Sequence, residues 1–150
     1  MKKLLMVISI ILIFAMQTWA ADGMISVQSD FTVKETTDRL ESILREKGMN
    51  IFNRIKHSKS AGNVGIELRE TELLIFGNPN VGSPLMKCQQ SVAIDLPQKA
   101  LVWEDHKSKV WISYNDPTYL EKRHGISGCG ELISKIKKAL SGITKAAATR

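Results

Sequence analysis

The segment from Leu73 to Pro97 constrains the fold more than any other part of the chain, because it carries the signals of a strand, a turn and a helix in succession. It begins with the apolar run Leu73–Phe76, which is typical of a central strand covered on both faces. Turn-forming residues follow, and Ser83 with Pro84 supplies an N-cap and a first-turn proline for a helix. A strand, a turn and a helix in this succession require a sheet on which the helix can pack.

The region before this segment predicts a strand, a helix and a second strand. Met24–Ser29 alternates apolar and polar residues, as a half-buried strand does. The sequence Thr-Val-Lys-Glu at residues 32–35 is a capping box that begins a helix, and Gly48 is placed to end it. A period-two pattern from Asn50 onward predicts the second strand and directs His57 inward on its apolar face.

The region after the segment predicts a hairpin and two helices. The runs 99–105 and 109–114 fit two paired strands, and Asp116 with Pro117 begins a short helix. An apolar stripe from Leu132 to Ile143 defines the last helix. The lysines expected to lie mostly away from that stripe are Lys135, Lys137, Lys138 and Lys145. Such a helix lies on a membrane surface or, more usually, packs on a sheet with its lysines in water.

These elements predict an α+β fold, an antiparallel-rich sheet of about five strands with helices packed on it. The chain is long enough for one hydrophobic core but not for two, so a single compact domain is expected. That domain should cover residues 21–150, with a core from about 23 to 139. A C-terminal tail around Ala147 and Ala148 is expected to fray.

The N-terminus has the pattern of a secretory signal peptide. Lys2 and Lys3 precede an apolar run, and small residues at Thr18 and Ala20 predict cleavage after Ala20. A retained membrane anchor is the alternative, although the run is shorter than the roughly 20 residues that a spanning helix needs. We therefore expect residues 1–20 to be removed, and the mature protein to be periplasmic or secreted without stable membrane insertion.

The two cysteines, Cys88 and Cys129, allow two interpretations. In an oxidising compartment an even number of cysteines favours one disulfide, which would have a structural role. The alternative is a thiol-redox or metal-handling pair. The sequence has no Cys-x-x-Cys motif and no histidine at ligand spacing from either cysteine, so no metal site is predicted and the disulfide is favoured.

The charge of the chain gives little information about partners. The formal net charge of +6 falls to +4 without Lys2 and Lys3. Aromatic residues are not interleaved with the basic ones, as stacking on bases requires, and an exported protein meets little nucleic acid. We expect no nucleic-acid partner.

Several motifs, in their order and spacing, make residues 23–139 resemble the domain-of-unknown-function 302 family. They are Thr36 with Leu40, His57 with Ala61, Phe76-Gly77-Asn78-Pro79, Pro84-Leu85-Met86, Asp95-Leu96-Pro97, and Trp111 to Tyr114 followed by Asn115-Asp116-Pro117. The resemblance implies a compact α+β fold, usually a small stand-alone protein, and is compatible with a homodimer. It implies no accepted enzymatic activity and no cofactor. The two cysteines depart from the family pattern, which favours a local stabilising bridge.

Two sets of residues are candidates for a site. If Ser83 caps a helix, unpaired amides of the first turn, with Asn78 and Pro79 beside them, fit a small anion such as a carboxylate or phosphate. His57 and Asp95 would form a proton-transfer pair if the fold brings them together. Each set also has a structural interpretation. The first set fits a tight turn, and in the second His57 fits a half-buried residue and Asp95 a turn cap. The sequence therefore favours a non-enzymatic binding or interaction module of the bacterial envelope.

Overall fold

The computed structural model describes residues 23–150, so the predicted signal peptide lies outside the described residues. These residues form five strands, five α-helices and one 3-10 helix: β1 Met24–Ser29, α1 Val33–Glu46, β2 Asn50–Lys56, α2 His57–Gly62, β3 Thr71–Gly77, α3 Pro79–Cys88, the 3-10 helix Gln90–Ile94, β4 Gln98–Glu104, β5 Val110–Asn115, α4 Pro117–His124 and α5 Gly130–Ala148. Within residues 23–150, no helix is both long enough and apolar enough to cross a membrane.

The strands form one antiparallel sheet in the order β1-β5-β4-β3-β2, which confirms the predicted α+β fold. The predicted hairpin is β4–β5, where Trp103 pairs with Trp111. Asp105 stabilises the turn of this hairpin, because its carboxylate accepts hydrogen bonds from the backbone N–H of Lys109 and from Trp111 Nε1. These bonds lower the pKa of Asp105 to about 2, and the bond from the Lys109 N–H has the largest effect.

Helices α1 and α5 cover only one face of the sheet. In β3, Glu72, Leu74 and Phe76 are buried beneath the helices, whereas the alternate residues Leu73 and Ile75 are only half-buried. The prediction that this strand is covered on both faces is therefore wrong. A continuous apolar run also fits a strand whose second face is partly screened by its neighbours, as it is here.

Helix α1 is the clearest case of local sequence signals determining structure. Thr32 and Glu35 form the predicted capping box, and Gly48 follows the helix with a φ of 73°. Leu40 and Leu44 on its inner side are fully buried. Complete burial of one such side chain stabilises the fold by about 1.5–3 kcal/mol.

The C-terminus does not fray, contrary to the sequence-based expectation. Helix α5 continues to Ala148, and both Ala147 and Ala148 are fully buried. The Asp30 N–H donates to the Ala148 carbonyl at 2.9 Å, and Arg39 Nε donates to the Ala147 carbonyl at 3.0 Å. These donors satisfy carbonyls that a free helix end leaves unpaired, so the last turn is held by residues distant in sequence.

Candidate functional site

The described residues enclose a cavity of about 600 Å³ between α3, α5 and the adjoining end of the sheet. We call it the apolar cavity, because most of its lining is hydrophobic. The hydrophobic lining residues are Met49, Phe52, Phe76, Pro79, Val81, Leu85, Met86, Ala93, Leu96, Pro97, Leu132, Ile136, Ala139, Leu140 and Ile143. Gly77, Asn78, Gly82, Ser83, Gln98 and Lys135 complete it.

Helical spacing explains why these side chains face the same space. In α5, Leu132, Ile136 and Leu140 follow each other at intervals of four residues, and Ile143 continues the row. In α3, Val81 and Leu85 have the same spacing. The two rows face each other across the cavity, and their side chains leave the space between α3 and α5 unfilled.

Helix α3 begins at Pro79, earlier than Ser83 and Pro84 suggest. Asn78 is its N-cap, and the Asn78 Oδ1 accepts a hydrogen bond from the Asn80 N–H at 2.9 Å. The pair Asn78-Pro79 has the same capping chemistry as Ser83-Pro84, so both pairs signal a helix start and the first one is used. Ser83 therefore lies within the helix, and the prediction that it is the N-cap is wrong.

This helix start removes the predicted anion site. Pro79 has no N–H, and the Val81 and Gly82 N–H groups both donate to the Asn78 carbonyl at 2.9 Å. The amide of Asn78 is also engaged, because its Nδ2 donates to the Gly48 carbonyl at 3.1 Å. The amides that would bind an anion at this turn are thus already paired.

The structure separates His57 from Asp95. His57 is exposed and begins α2, so the prediction that it points inward from a strand is wrong. It follows the end of β2 where Lys56 pairs with Glu72, whereas Asp95 lies near the other end, close to Gln98 opposite Phe76. Glu72 and Phe76 are four residues apart in β3, so at a rise of about 3.3 Å per residue these two points are about 13 Å apart. Asp95 therefore does not form the predicted pair.

Asp95 instead pairs with His124, whose side chain is 7% exposed. The Asp95 Oδ2 lies 2.6 Å from His124 Nε2, and the Ser91 Oγ lies 3.0 Å from His124 Nδ1. If the carboxylate accepts from Nε2–H, Nδ1 is the nitrogen that accepts the Ser91 hydroxyl proton. No local sequence pattern signals this cluster, because only the packing of α4 on the 3-10 helix brings His124 to Asp95.

Serine, histidine and carboxylate joined in series are also the components of serine hydrolases. Here Ser91 and Asp95 lie on and directly after the 3-10 helix, and His124 ends α4, so the cluster joins these two elements. Ser91 is not among the residues that line the apolar cavity. We therefore assign the cluster a structural role.

Replacing Asp95 with asparagine should lower the free energy of unfolding by about 1–3 kcal/mol, because His124 loses a charged hydrogen-bond partner while it stays buried. Urea denaturation monitored by circular dichroism measures this change. Asp30→Asn is the matched control, since Asp30 is exposed and only its backbone is hydrogen-bonded in the described structure. Equal losses in the two variants would contradict the structural role of the cluster.

The two cysteines connect the helices that form opposite walls of the apolar cavity. Cys88 ends α3 and Cys129 precedes α5, with their sulfur atoms at bonding distance and their Cα atoms 6.5 Å apart. The structure thus pairs the two cysteines, as the sequence predicts. No group of three or more metal-ligating side chains occurs among residues 23–150.

The fold and the cavity define a two-layer α+β protein with an apolar cavity between its helices and sheet. The chain belongs to the family described as "Domain of unknown function DUF302", whose model matches residues 25–143. It is similar to a crystal structure of an uncharacterized conserved DUF302 protein from Bacillus stearothermophilus, with a TM-score of 0.77 and 20% identity. The similarity covers 85% of this chain and 99% of that one, and it supports the fold alone.

Curated relatives of the chain carry a different kind of name. The chain is 39% identical over 127 residues to "Fluoride-specific ion channel FluC 1" of Brucella suis. The matched region covers 84% of this chain and 50% of that protein. It is equally similar to FluC 1 of Brucella abortus, with 47% of that protein covered. The chain therefore spans about half the length of the curated relatives it matches.

Proposed function

We propose that this protein is a non-enzymatic binding module whose ligand occupies the apolar cavity. The observation that carries the proposal is the cavity itself, about 600 Å³ with a mostly hydrophobic lining. Small-molecule sites usually enclose roughly 300–1,000 Å³ and combine apolar walls with a few polar groups. The apolar cavity fits this description, with Asn78, Ser83 and Gln98 among its polar groups.

Burial of a ligand's apolar surface would provide the binding energy, at roughly 25 cal/mol per Å² removed from water. Two features support a preformed site. The Cys88–Cys129 link holds α3 to α5, and the Asn78 amide ties the start of α3 to Gly48. A preformed cavity loses little conformational freedom when it is filled, which favours binding.

A thermal-shift screen tests this function. The purified chain is heated with a panel of alkanols, single-chain acids, sterols and small anions. A ligand at 100 times its dissociation constant should stabilise the native state by about 2.7 kcal/mol, which raises the melting temperature. If no apolar or amphipathic compound raises it, the proposed function is wrong.

We further propose that the module works at the bacterial envelope. The predicted signal peptide supports export, and the curated relatives support an interaction with a membrane protein, since they are named as ion channels and about half of their length lies outside the match. Mass spectrometry of the exported chain tests the location, because a mature N-terminus at Ala21 is expected. A precursor that remains in the cytoplasm would contradict it.

A partnership with a fluoride channel is a second candidate function, favoured by the 39% identity to proteins that bear that name. Fluoride efflux from liposomes containing the host's channel is measured with and without the added chain. A changed efflux rate is expected if the chain acts as an accessory module. An unchanged rate together with no co-elution of the two proteins would exclude this function.

We propose that the chain forms a homodimer through the face of the sheet that α1 and α5 leave open. Leu73 and Leu101 are paired on this face, as are Trp103 and Trp111, and all four side chains are half-buried. Light scattering after size exclusion should give the dimer mass for the wild-type chain and the monomer mass for Leu101→Glu. A monomeric wild-type chain at high micromolar concentration would contradict the dimer.

A thiol-redox or metal-handling role remains the alternative use of Cys88 and Cys129. Titration of free thiols before and after mild reduction tests it. We expect a closed bridge that resists mild reductant and, once opened by strong reductant, binds no zinc. Facile reduction or tight zinc binding would favour the alternative over the binding module.

A further inference from the structure

Among the described residues 23–150, Lys135 is the only charged one that lines the apolar cavity. It lies on α5 between Leu132 and Ala139, which also line the cavity, and its side chain is exposed. The sequence pattern places this lysine with the solvated ones, and it is indeed exposed, although it also lines the cavity. The cavity thus includes a residue of α5 that lies beside its apolar stripe.

The Lys135 ammonium has no ion pair and no hydrogen bond within residues 23–150. Lys137 on the same helix and Lys99 on β4 are engaged. Lys137 Nζ donates to Thr118 Oγ1 at 2.9 Å, and Lys99 Nζ donates to the Asp95 carbonyl at 2.9 Å. No acidic residue of the described part of the chain lines the cavity, so Lys135 gives its lining a positive charge.

The side chain of Lys135 suits the junction between an apolar site and water. Its methylene stem can cover the hydrophobic wall beside Leu132 while its ammonium stays hydrated. A ligand with an apolar body and a terminal anion would match both parts at once. A purely apolar ligand would use the walls and leave the charge without a partner.

We propose that the ligand class of the apolar cavity is a single-chain amphiphile with an anionic head group, and that Lys135 binds the head group. This inference rests on the proposed binding function and assigns its ligand. A volume of about 600 Å³ suits one drug-sized molecule rather than a lipid with two chains. The anion that the sequence suggested at Ser83 is thus assigned to a different residue and a different helix.

Calorimetry with dodecanoate and dodecanol tests the inference, because the two probes have the same chain and differ in charge. Lys135→Gln shortens the side chain little and removes its charge. We expect this variant to bind dodecanoate about tenfold more weakly than the wild type does, since one charge-assisted hydrogen bond is lost, and to bind dodecanol with unchanged affinity. Lys138→Gln is the matched control, because Lys138 is exposed on the same helix and does not line the cavity.

The outcomes separate this inference from the function on which it rests. Equal dodecanoate affinity in Lys135→Gln and the wild type, with dodecanol bound by both, would overturn the role of Lys135 and leave the binding module standing. Failure of both probes to bind would overturn both proposals. Co-sedimentation with phosphatidylglycerol vesicles distinguishes a free amphiphile from a membrane headgroup. Vesicle binding without dodecanoate binding would overturn the inference.

Discussion

Replacing both Cys88 and Cys129 with alanine is expected to lower the free energy of unfolding by about 4 kcal/mol. The two cysteines are 41 positions apart in the sequence, so their bond closes a long loop and restricts the unfolded chain. A loss of this size is a large fraction of the roughly 5–15 kcal/mol by which a domain is usually stable. Chemical denaturation of the wild-type chain and the double variant under non-reducing conditions measures this loss of stability.

Reduced wild-type protein is the control for this comparison. Its denaturation curve should coincide with that of the double variant, because both lack the same constraint on the unfolded chain. The variant should also bind the cavity ligand more weakly, since the bond joins the two walls of the cavity. An unchanged free energy of unfolding would mean that the bridge is not formed in solution.

Replacing Ala139 with tryptophan should weaken binding of any cavity ligand at least 100-fold, or about 2.7 kcal/mol. Ala139 lines the apolar cavity from α5, so an indole at this position occupies the space that the ligand needs. The exposed, helical position should accept the larger residue without loss of the fold. Calorimetry with dodecanol measures the change without any contribution from Lys135.

Ser134→Trp is the matched control, because Ser134 is exposed on the same helix and does not line the cavity. It should bind dodecanol as the wild type does. Circular dichroism of both variants should match the wild type, which separates blockage from misfolding. Wild-type affinity in Ala139→Trp would place the ligand outside the cavity.

The sequence predicts those parts of the fold that depend on local signals. The capping box at Thr32, the stop at Gly48 and the hairpin of β4 and β5 all involve residues close in the chain. Helix α3 starts at Asn78-Pro79, whereas the sequence predicts a start at Ser83-Pro84, which carries the same signal. Local chemistry does not decide between two equivalent caps, whereas the bond from Asn78 to Gly48 favours the first.

The candidate site was predicted less well, since its important contacts are distant in sequence. Asp95 and His124 are separated by 29 positions, and nothing in either segment indicates the other. Hydrophobic periodicity places Lys135 on the polar side of α5, yet the position of α3 makes it part of the cavity. Asn78, Pro79 and Ser83 were predicted near a ligand and do line the cavity, although the walls around them are apolar.

The most direct test of the apolar cavity uses methionine methyl groups as reporters. Met49 and Met86 line the cavity, whereas Met24 lies in the edge strand β1 and does not. NMR spectra of the chain labelled with carbon-13 at its methionine methyls, assigned by single Met→Leu substitutions, are recorded during a titration with dodecanoate. The Met49 and Met86 signals are expected to shift with saturation while the Met24 signal stays fixed. Saturable shifts at Met24 with unchanged Met49 and Met86 signals would contradict the assignment of the cavity as the binding site.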